Sequence, residues 1–311
     1  MFPSDAIWGF FLISQICMGL MGNSVLFISY VCTFLTHLKK PIDLIFMHLT
    51  LVNVLTIMFK LTPGIMSSLG VKHFESNAGC KAILFTYRVT RGLSICTTTP
   101  LSAFQAVTIS PSDSNWAWLK PKVSTCIYPS LLFFWILNML IYSHIIRTVE
   151  AKRNSTFVGS GYTTPFCQSV QKEQRYSAVF SSAMVIRDLL FEVLIVWSSI
   201  YMVTLLYKHR QKARRLHSPS LSFRTSPEIK ATHTILLLVS CFTFFYGLNN
   251  FITFSLFYLL KKNPRLENLI GIISSCYPTI CPSVLMKNKI SRFTSSLSQL
   301  KMAFSQRTFS R

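Results

Sequence analysis

Five runs of this chain carry no Asp, Glu, Lys or Arg, and each is long enough to cross a bilayer. They lie between Asp5 and Lys39, Arg91 and Asp113, Lys122 and Arg147, Lys230 and Lys261, and Glu267 and Lys287. A helix needs about 20 apolar residues to cover a hydrocarbon core roughly 30 Å thick. Inside that core the backbone must satisfy its own hydrogen bonds, which selects helices over isolated strands. Composition agrees. Charged residues make up 13% of the chain, against roughly 25% in soluble domains, and the mean hydropathy is +0.43. The 31 basic residues far outnumber the 10 acidic ones, for a formal charge of +21. A soluble nucleic-acid-binding protein can be that basic, but it would not leave such stretches uncharged. The chain is therefore expected to be an all-α membrane protein.

Two charged runs extend the set. Asp43 to about Met66 is apolar apart from Lys60, and about Ala178 to Tyr207 is apolar apart from Arg187, Asp188 and Glu192. A charge at the centre of a span costs at least ~2.5–3.5 kcal/mol on insertion scales, so such residues need a reason to be there. The expected spans are then roughly 7–35, 43–66, 79–109, 123–147, 178–207, 230–260 and 268–286. They predict a seven-transmembrane helix bundle over residues 7–286, between an extracellular N-terminus (1–6) and a cytoplasmic tail (287–311).

The orientation follows from the excess of Lys and Arg on the inner side. With the N-terminus outside, the inner segments hold Lys39, Lys40, Lys120, Lys122, Lys208, Arg210, Lys212, Arg214, Arg215, Arg224 and Lys230. The tail adds Lys287, Lys289, Arg292, Lys301, Arg307 and Arg311. The first apolar run is too long for a signal peptide and has no basic segment before it, so it reads as an uncleaved anchor.

Two further features mark the outer side. The chain has one N-glycosylation sequon, Asn154-Ser155-Thr156, in the long connection that the charge argument puts outside. Of nine cysteines, Cys17, Cys32, Cys96, Cys126, Cys241, Cys276 and Cys281 fall within spans, where a buried thiol usually serves as a small apolar filler. Cys80 and Cys167 fall where oxidising conditions would let a disulfide persist. A bridge between them is the expectation, and two unrelated thiols the alternative.

Catalytic and cofactor patterns are missing. Gly159-Ser160-Gly161 lacks the third glycine of a dinucleotide loop and the Lys-Ser/Thr of a phosphate loop. The seven histidines do not pair at metal-ligand spacing, and Cys276 and Cys281 have no ligand residues beside them. Neither an enzyme nor a metal or cofactor site is expected.

Four strings carry a resemblance: KPIDLIFMHLTLV (40–52), RGLSICTTTPLSAFQAVTISP (91–111), PEIKATHTILLLVSCFTFFY (227–246) and YPTICPSVLM (277–286). They resemble the signature segments of vomeronasal type-1 receptors, G-protein-coupled receptors for pheromones, and the likeness runs from about Gly22 to Met286. The resemblance implies a multi-pass plasma-membrane receptor that binds a pheromone or small odorant and activates a heterotrimeric G protein, with no nucleic-acid partner. Bitter-taste-like receptors are the nearest alternative. A small-solute transporter is the alternative of another class, though it would want duplicated halves and a polar path through the full bilayer. Ile109-Ser110-Pro111 stands where rhodopsin-type receptors carry an acidic-Arg-aromatic triplet. Thr99-Pro100, Arg187 and Glu192 depart from the family pattern, and Pro100 would remove a helix donor and favour a kink.

Ionisable residues inside a membrane are functional candidates by default. At ~1.5 Å per residue, Arg88 and Arg91 lie about 12 and 16 Å below the outer surface, Asp188 and Glu192 about 15 and 21 Å, and Lys60 about 9 Å. Arg88 and Arg91 share a helix face, as do Asp188 and Glu192. One reading is a structural network that pairs these arginines with these acids, with Arg187 snorkelling or facing solvent. The other is a ligand pocket with surplus positive charge, suited to an acidic or sulfated odorant. Phe245, Tyr246, Asn249 and Asn250 could line it. On the inner side, the KHRQKARR run of 208–215 is a topology signal that also attracts anionic lipid. Lys208, Arg210, Lys212, Arg214 and Arg215, with Ser110, are by the resemblance the G-protein-facing set.

Overall fold

A computed structural model of the chain describes residues 3–35, 41–70, 76–111, 114, 118–151, 167–169, 174–216, 227–258 and 271–286. These form long helices α1 (Pro3–Leu35), α2 (Pro41–Ser68), α3 (Asn77–Ile109), α4 (Leu119–Tyr142), α6 (Gln174–Leu216) and α7 (Pro227–Tyr258). The one-turn helix α5 (Ile145–Thr148) follows α4, and α8 (Gly271–Met286) is a shorter apolar helix. Strands β1 (Val149–Ala151) and β2 (Cys167–Ser169) pair antiparallel, Ala151 opposite Cys167. Pro3, Pro41 and Pro227 open their helices, where a missing N–H costs nothing. Ser76 caps α3 by accepting from the Gly79 amide at 3.1 Å.

The sequence led to seven spans; among the described residues, five stretches are long and apolar enough to cross a membrane by length and composition: Gly9–Leu35, Pro41–Met66, Thr125–Thr148, Ser182–Lys208 and Thr232–Ile252. The helix α3 is set apart by its place in the bundle. Every residue from Val89 to Thr98 is buried, so α3 is enclosed by other helices rather than by lipid. It can therefore carry Arg91 and a run of hydroxyls where α1, α4 and α6 present Phe10, Met21, Leu132, Val193 and Trp197 outward. The hydroxyls satisfy themselves locally: Thr90, Thr97 and Thr98 donate to the carbonyls of Thr86, Leu93 and Ser94 at 2.7–2.9 Å. The helix also runs unbroken through Pro100.

Two features lock the surrounding helices onto one another. Asn23 Nδ2 donates to the carbonyls of Gly19 (2.7 Å) and Pro278 (2.9 Å), joining α1 to α8. The two helices approach so closely at Gly22 that a Cβ there would lie 2.7 Å from Pro282 Cβ. Near the start of α2, His48 bridges two neighbours. Trp135 Nε1–H donates to His48 Nε2 at 2.9 Å, so the proton sits on Nδ1, which faces Thr97 Oγ1 at 2.9 Å. Around these the apolar core centres on Ile45, Leu49, Ile95, Leu101, Ile195 and Phe242. Cysteines depart from the filler expectation in part: Cys96 and Cys281 are buried, whereas Cys17, Cys32 and Cys126 are exposed on the outer surface of the helices.

Candidate functional site

The disulfide between Cys80 and Cys167 ties the start of α3 to β2 across 87 residues of sequence, which removes the alternative of two unrelated thiols. Asn77 Oδ1 accepts from the Ala151 amide at 2.9 Å, so the β1–β2 ribbon is fixed to the same end of α3. Asn154 lies outside the described residues.

Along α3 from this end, the charged side chains gather in two groups. In the first, Asp188 sits between two guanidiniums. Arg91 Nη2 is 3.7 Å from Asp188 Oδ2. Arg187 donates from Nε and Nη2 to Asp188 Oδ1, at 3.1 and 2.6 Å. Each arginine is held further. Arg91 Nη2 donates to Asn250 Oδ1 of α7, and its guanidinium lies 5.4 Å from the Tyr246 ring centre. The Tyr246 hydroxyl in turn donates to the Arg91 carbonyl at 3.1 Å. Arg187 donates to Asn138 Oδ1 at 3.0 Å and to the Tyr142 hydroxyl at 2.8 Å, both on α4. One carboxylate therefore couples α3, α4, α6 and α7.

This corrects the expectation for Arg187. It neither snorkels nor faces solvent; its side chain is 11% exposed and lies in the network. Adjacent residues on a helix point about 100° apart, but the long arginine arm folds back alongside its neighbour and reaches α4. Sequence reasoning also passed over Asn138 and Tyr142. A signal was present: Asn138 is an amide within the apolar run FFWILNMLIY, and it is fully buried. Gly92 makes room for it, since a Cβ there would overlap Asn138 Oδ1.

Glu192 and Asn249 are buried beside this group, with Asn250. Glu192 Oε1 and Asn250 Nδ2 find no hydrogen-bond partner among the described residues. The second group forms around Tyr87, whose ring centre is 4.8 Å from Lys60 Nζ and 6.0 Å from the Arg88 guanidinium. Lys60 and Arg88 thus share the face of one aromatic ring. Phe245 packs against the core beside Tyr246.

At the other end of α3 lies Ser110, which the resemblance put in the G-protein-facing set. Its side chain is buried, and Ser110 Oγ donates to the Ala106 carbonyl at 2.8 Å and meets the Tyr201 hydroxyl at 3.0 Å. Lys120 Nζ donates to the Ser110 carbonyl at 2.6 Å. Ser110 is a corner joining α3, α4 and α6, with no exposed hydroxyl to offer a partner. Lys208 is exposed. Arg210, Lys212, Arg214 and Arg215 lie on the last turns of α6, and their side chains fall outside the described residues. Two cavities lie away from the charged cluster. One, of about 540 Å³, is a groove between α6 and α7 bordered by Ile200, Val203, Ser240 and Phe244; the other, of about 250 Å³, lies between α3 and α4 at Val107 and Lys120.

Comparison with known proteins adds to this geometry. The family model described as the vomeronasal organ pheromone receptor family matches residues 6–296. Vomeronasal type-1 receptor 4 of Homo sapiens is 33% identical over 276 residues, 88% of this chain and 92% of its own. Vomeronasal type-1 receptor 90 of Rattus norvegicus is 35% identical over 290 residues, 91% of this chain and 92% of its own. Vomeronasal type-1 receptor 2 of Homo sapiens is 33% identical over 280 residues, 89% of this chain and 71% of its own.

Proposed function

The chain belongs to the vomeronasal organ pheromone receptor family, type 1, and from that membership we propose that it is a seven-transmembrane, plasma-membrane receptor for a pheromone or small odorant, relaying to a heterotrimeric G protein. In this reading the N-terminus and the Asn154 glycan face outward, and residues 287–311 face the cytoplasm. The observation that carries it is the buried cluster of Arg91, Arg187, Asp188 and Glu192. Such a cluster is costly in a membrane protein. It joins four helices on the disulfide-tied side of the bundle, so a ligand that disturbs it biases all four at once, as a population-shifting ligand must. The basic end of α6, from Lys208 to Arg215, is then the surface that meets the G-protein α subunit. Lys60, Arg88, Tyr246 and Asn249 border the ligand.

The test uses the full-length receptor in cultured cells with a calcium or cyclic-nucleotide readout, against a panel of small volatiles and steroid derivatives. Arg91→Ala should abolish the response while an N-terminal epitope remains detectable on unpermeabilised cells. A response that keeps its potency in Arg91→Ala refutes the cluster as the ligand site. An epitope detectable only after permeabilisation refutes the orientation.

A further inference from the structure

The smaller cavity, of about 250 Å³, lies where α3 ends and α4 begins, at the opposite end of α3 from the Cys80–Cys167 bridge. It is lined by Phe104, Val107 and Thr108 of α3 and by Lys120 and Val123 of α4. Thr108 is exposed, and its hydroxyl donates back to the Phe104 carbonyl at 2.7 Å, so the α3 wall offers no spare donor. Lys120 does. Its ammonium carries three N–H donors, and the bond to the Ser110 carbonyl at 2.6 Å uses one of them. That bond holds the cation at the cavity, and no acid pairs with it among the described residues. Lys122 adds a second cation to the first turn of α4, which has no acidic residue. Both stand at the positive end of the helix dipole, where cations are disfavoured unless an anion joins them. Asp113 lies outside the described residues.

Depth and size say what the anion belongs to. Lys120 precedes the apolar stretch Thr125–Thr148 by five residues, about 7.5 Å of helix at ~1.5 Å per residue. The headgroup layer on each side of the hydrocarbon is roughly 5–8 Å deep. Trp118, 61% exposed, is of the residue type that gathers in that layer. The cavity is smaller than the ~300–1,000 Å³ of pockets that enclose a whole small molecule, and its apolar walls fit a length of acyl chain.

We infer that the α3–α4 groove docks an anionic phospholipid, with its phosphate on the spare donors of Lys120 and one acyl chain against Phe104, Val107 and Val123. A zwitterionic lipid brings its own cation to this turn, whereas an anionic one brings the charge that Lys120 and Lys122 leave unbalanced. The bound lipid braces the corner where Lys120 and Tyr201 meet Ser110. The inference rests on the membrane-spanning part of the proposed function and on neither its odorant nor its G protein.

The full-length chain is reconstituted into nanodiscs with a phosphatidylserine bearing a diazirine on its acyl chain, or with the matching phosphatidylcholine. Photolabelled peptides are mapped with no odorant or G protein present, so failure of the receptor reading does not touch the result. Label on 104–108 and 120–123 should be roughly fivefold higher from the serine lipid, the worth of one basic residue near an anionic leaflet. Lys120→Gln should remove that preference, and Lys120→Arg should keep it. Thr108→Phe fills the groove from its exposed edge without altering charge, and should lower the label from both lipids. Label on the 208–215 run is the internal reference, which every variant should leave unchanged. Equal label from the two lipids, or none on the two stretches, overturns the inference. A preference that survives Lys120→Gln also overturns it, in favour of a diffuse basic surface. Label indifferent to Thr108→Phe, or abolished by soluble glycerophosphoserine, overturns the groove as the seat of the chain and leaves a phosphate contact alone.

Discussion

Replacing Asp188 by Asn should be the most damaging isosteric change in the bundle. Asn keeps the volume and one acceptor oxygen, so packing survives, while two buried guanidiniums lose the charge they share. Their side chains are 10% and 11% exposed, so water cannot stand in for the carboxylate. At an effective dielectric constant of about 20, the gross attraction is roughly 6 kcal/mol at the 2.6 Å separation and roughly 4 kcal/mol at 3.7 Å. Desolvation offsets much of that in the intact protein, but removing one partner leaves the other charge buried, at about 3–5 kcal/mol. Arg187→Met should cost less, because Asp188 keeps Arg91. The double substitution should cost less than the sum by at least about 1 kcal/mol, since the second change removes a cation that the first had stranded. Thermal unfolding in detergent, followed with a thiol-reactive fluorophore, reads this directly. Cys96 and Cys281 are buried and react on unfolding, whereas Cys17, Cys32 and Cys126 give a constant background. The expected fall in Tm for Asp188→Asn is on the order of 10 °C. A fall within about 2 °C, or strictly additive single and double variants, would refute the shared-carboxylate reasoning.

Two other perturbations test the frame around the cluster. Because the Cys80–Cys167 bridge closes a loop of 87 residues, its loss should cost about 4–5 kcal/mol on the chain-entropy account. Cys80→Ser, Cys167→Ser and the double variant should lose surface expression equally, and a double variant much worse than either single would show that the thiols act separately. Gly92→Ala drives a Cβ into Asn138 Oδ1, and toward Arg187 Nη1 at 3.3 Å. It should cost about 1–3 kcal/mol as overpacking and lower the Tm in the same assay, with Asn138→Ala restoring part of it. An unchanged Tm in Gly92→Ala would show that α3 and α4 can part there without penalty.

The apolar helices were legible because lipid sets a crude and strict rule. The face of a helix that meets hydrocarbon carries charge only at high cost, so helices with no charged inner face, α1, α4 and α7, show in the sequence as uncharged runs. The disulfide was legible for a related reason, since only two of the nine cysteines stood clear of those runs. The helix α3 shows as an uncharged run only beyond Arg91. Its surroundings at Val89 to Thr98 are protein, so its first half can carry Lys81, Arg88 and Arg91, and hydropathy understates it.

The cluster was legible in depth but not in azimuth. A rise of about 1.5 Å per residue puts Arg91 and Asp188 at one level, yet nothing in that arithmetic says which helices are neighbours. Depth alone placed Lys60 and Arg88 with the acids, whereas the bundle turns them toward Tyr87. Azimuth also decided Arg187. Read as one residue along from Asp188, it belongs on a different face; read as a side chain with a long flexible arm, it can share its neighbour's partner. What tips the balance is the far side of the contact. Asn138 and Tyr142 offer Arg187 two acceptors on α4, and Gly92 on α3 leaves the space through which Asn138 reaches them. An uncharged amide in an apolar run, a glycine on the facing helix and an arginine beside an aspartate are each ordinary alone. Together they specify where a third helix must stand, and that joint constraint is what a linear reading of spans cannot supply.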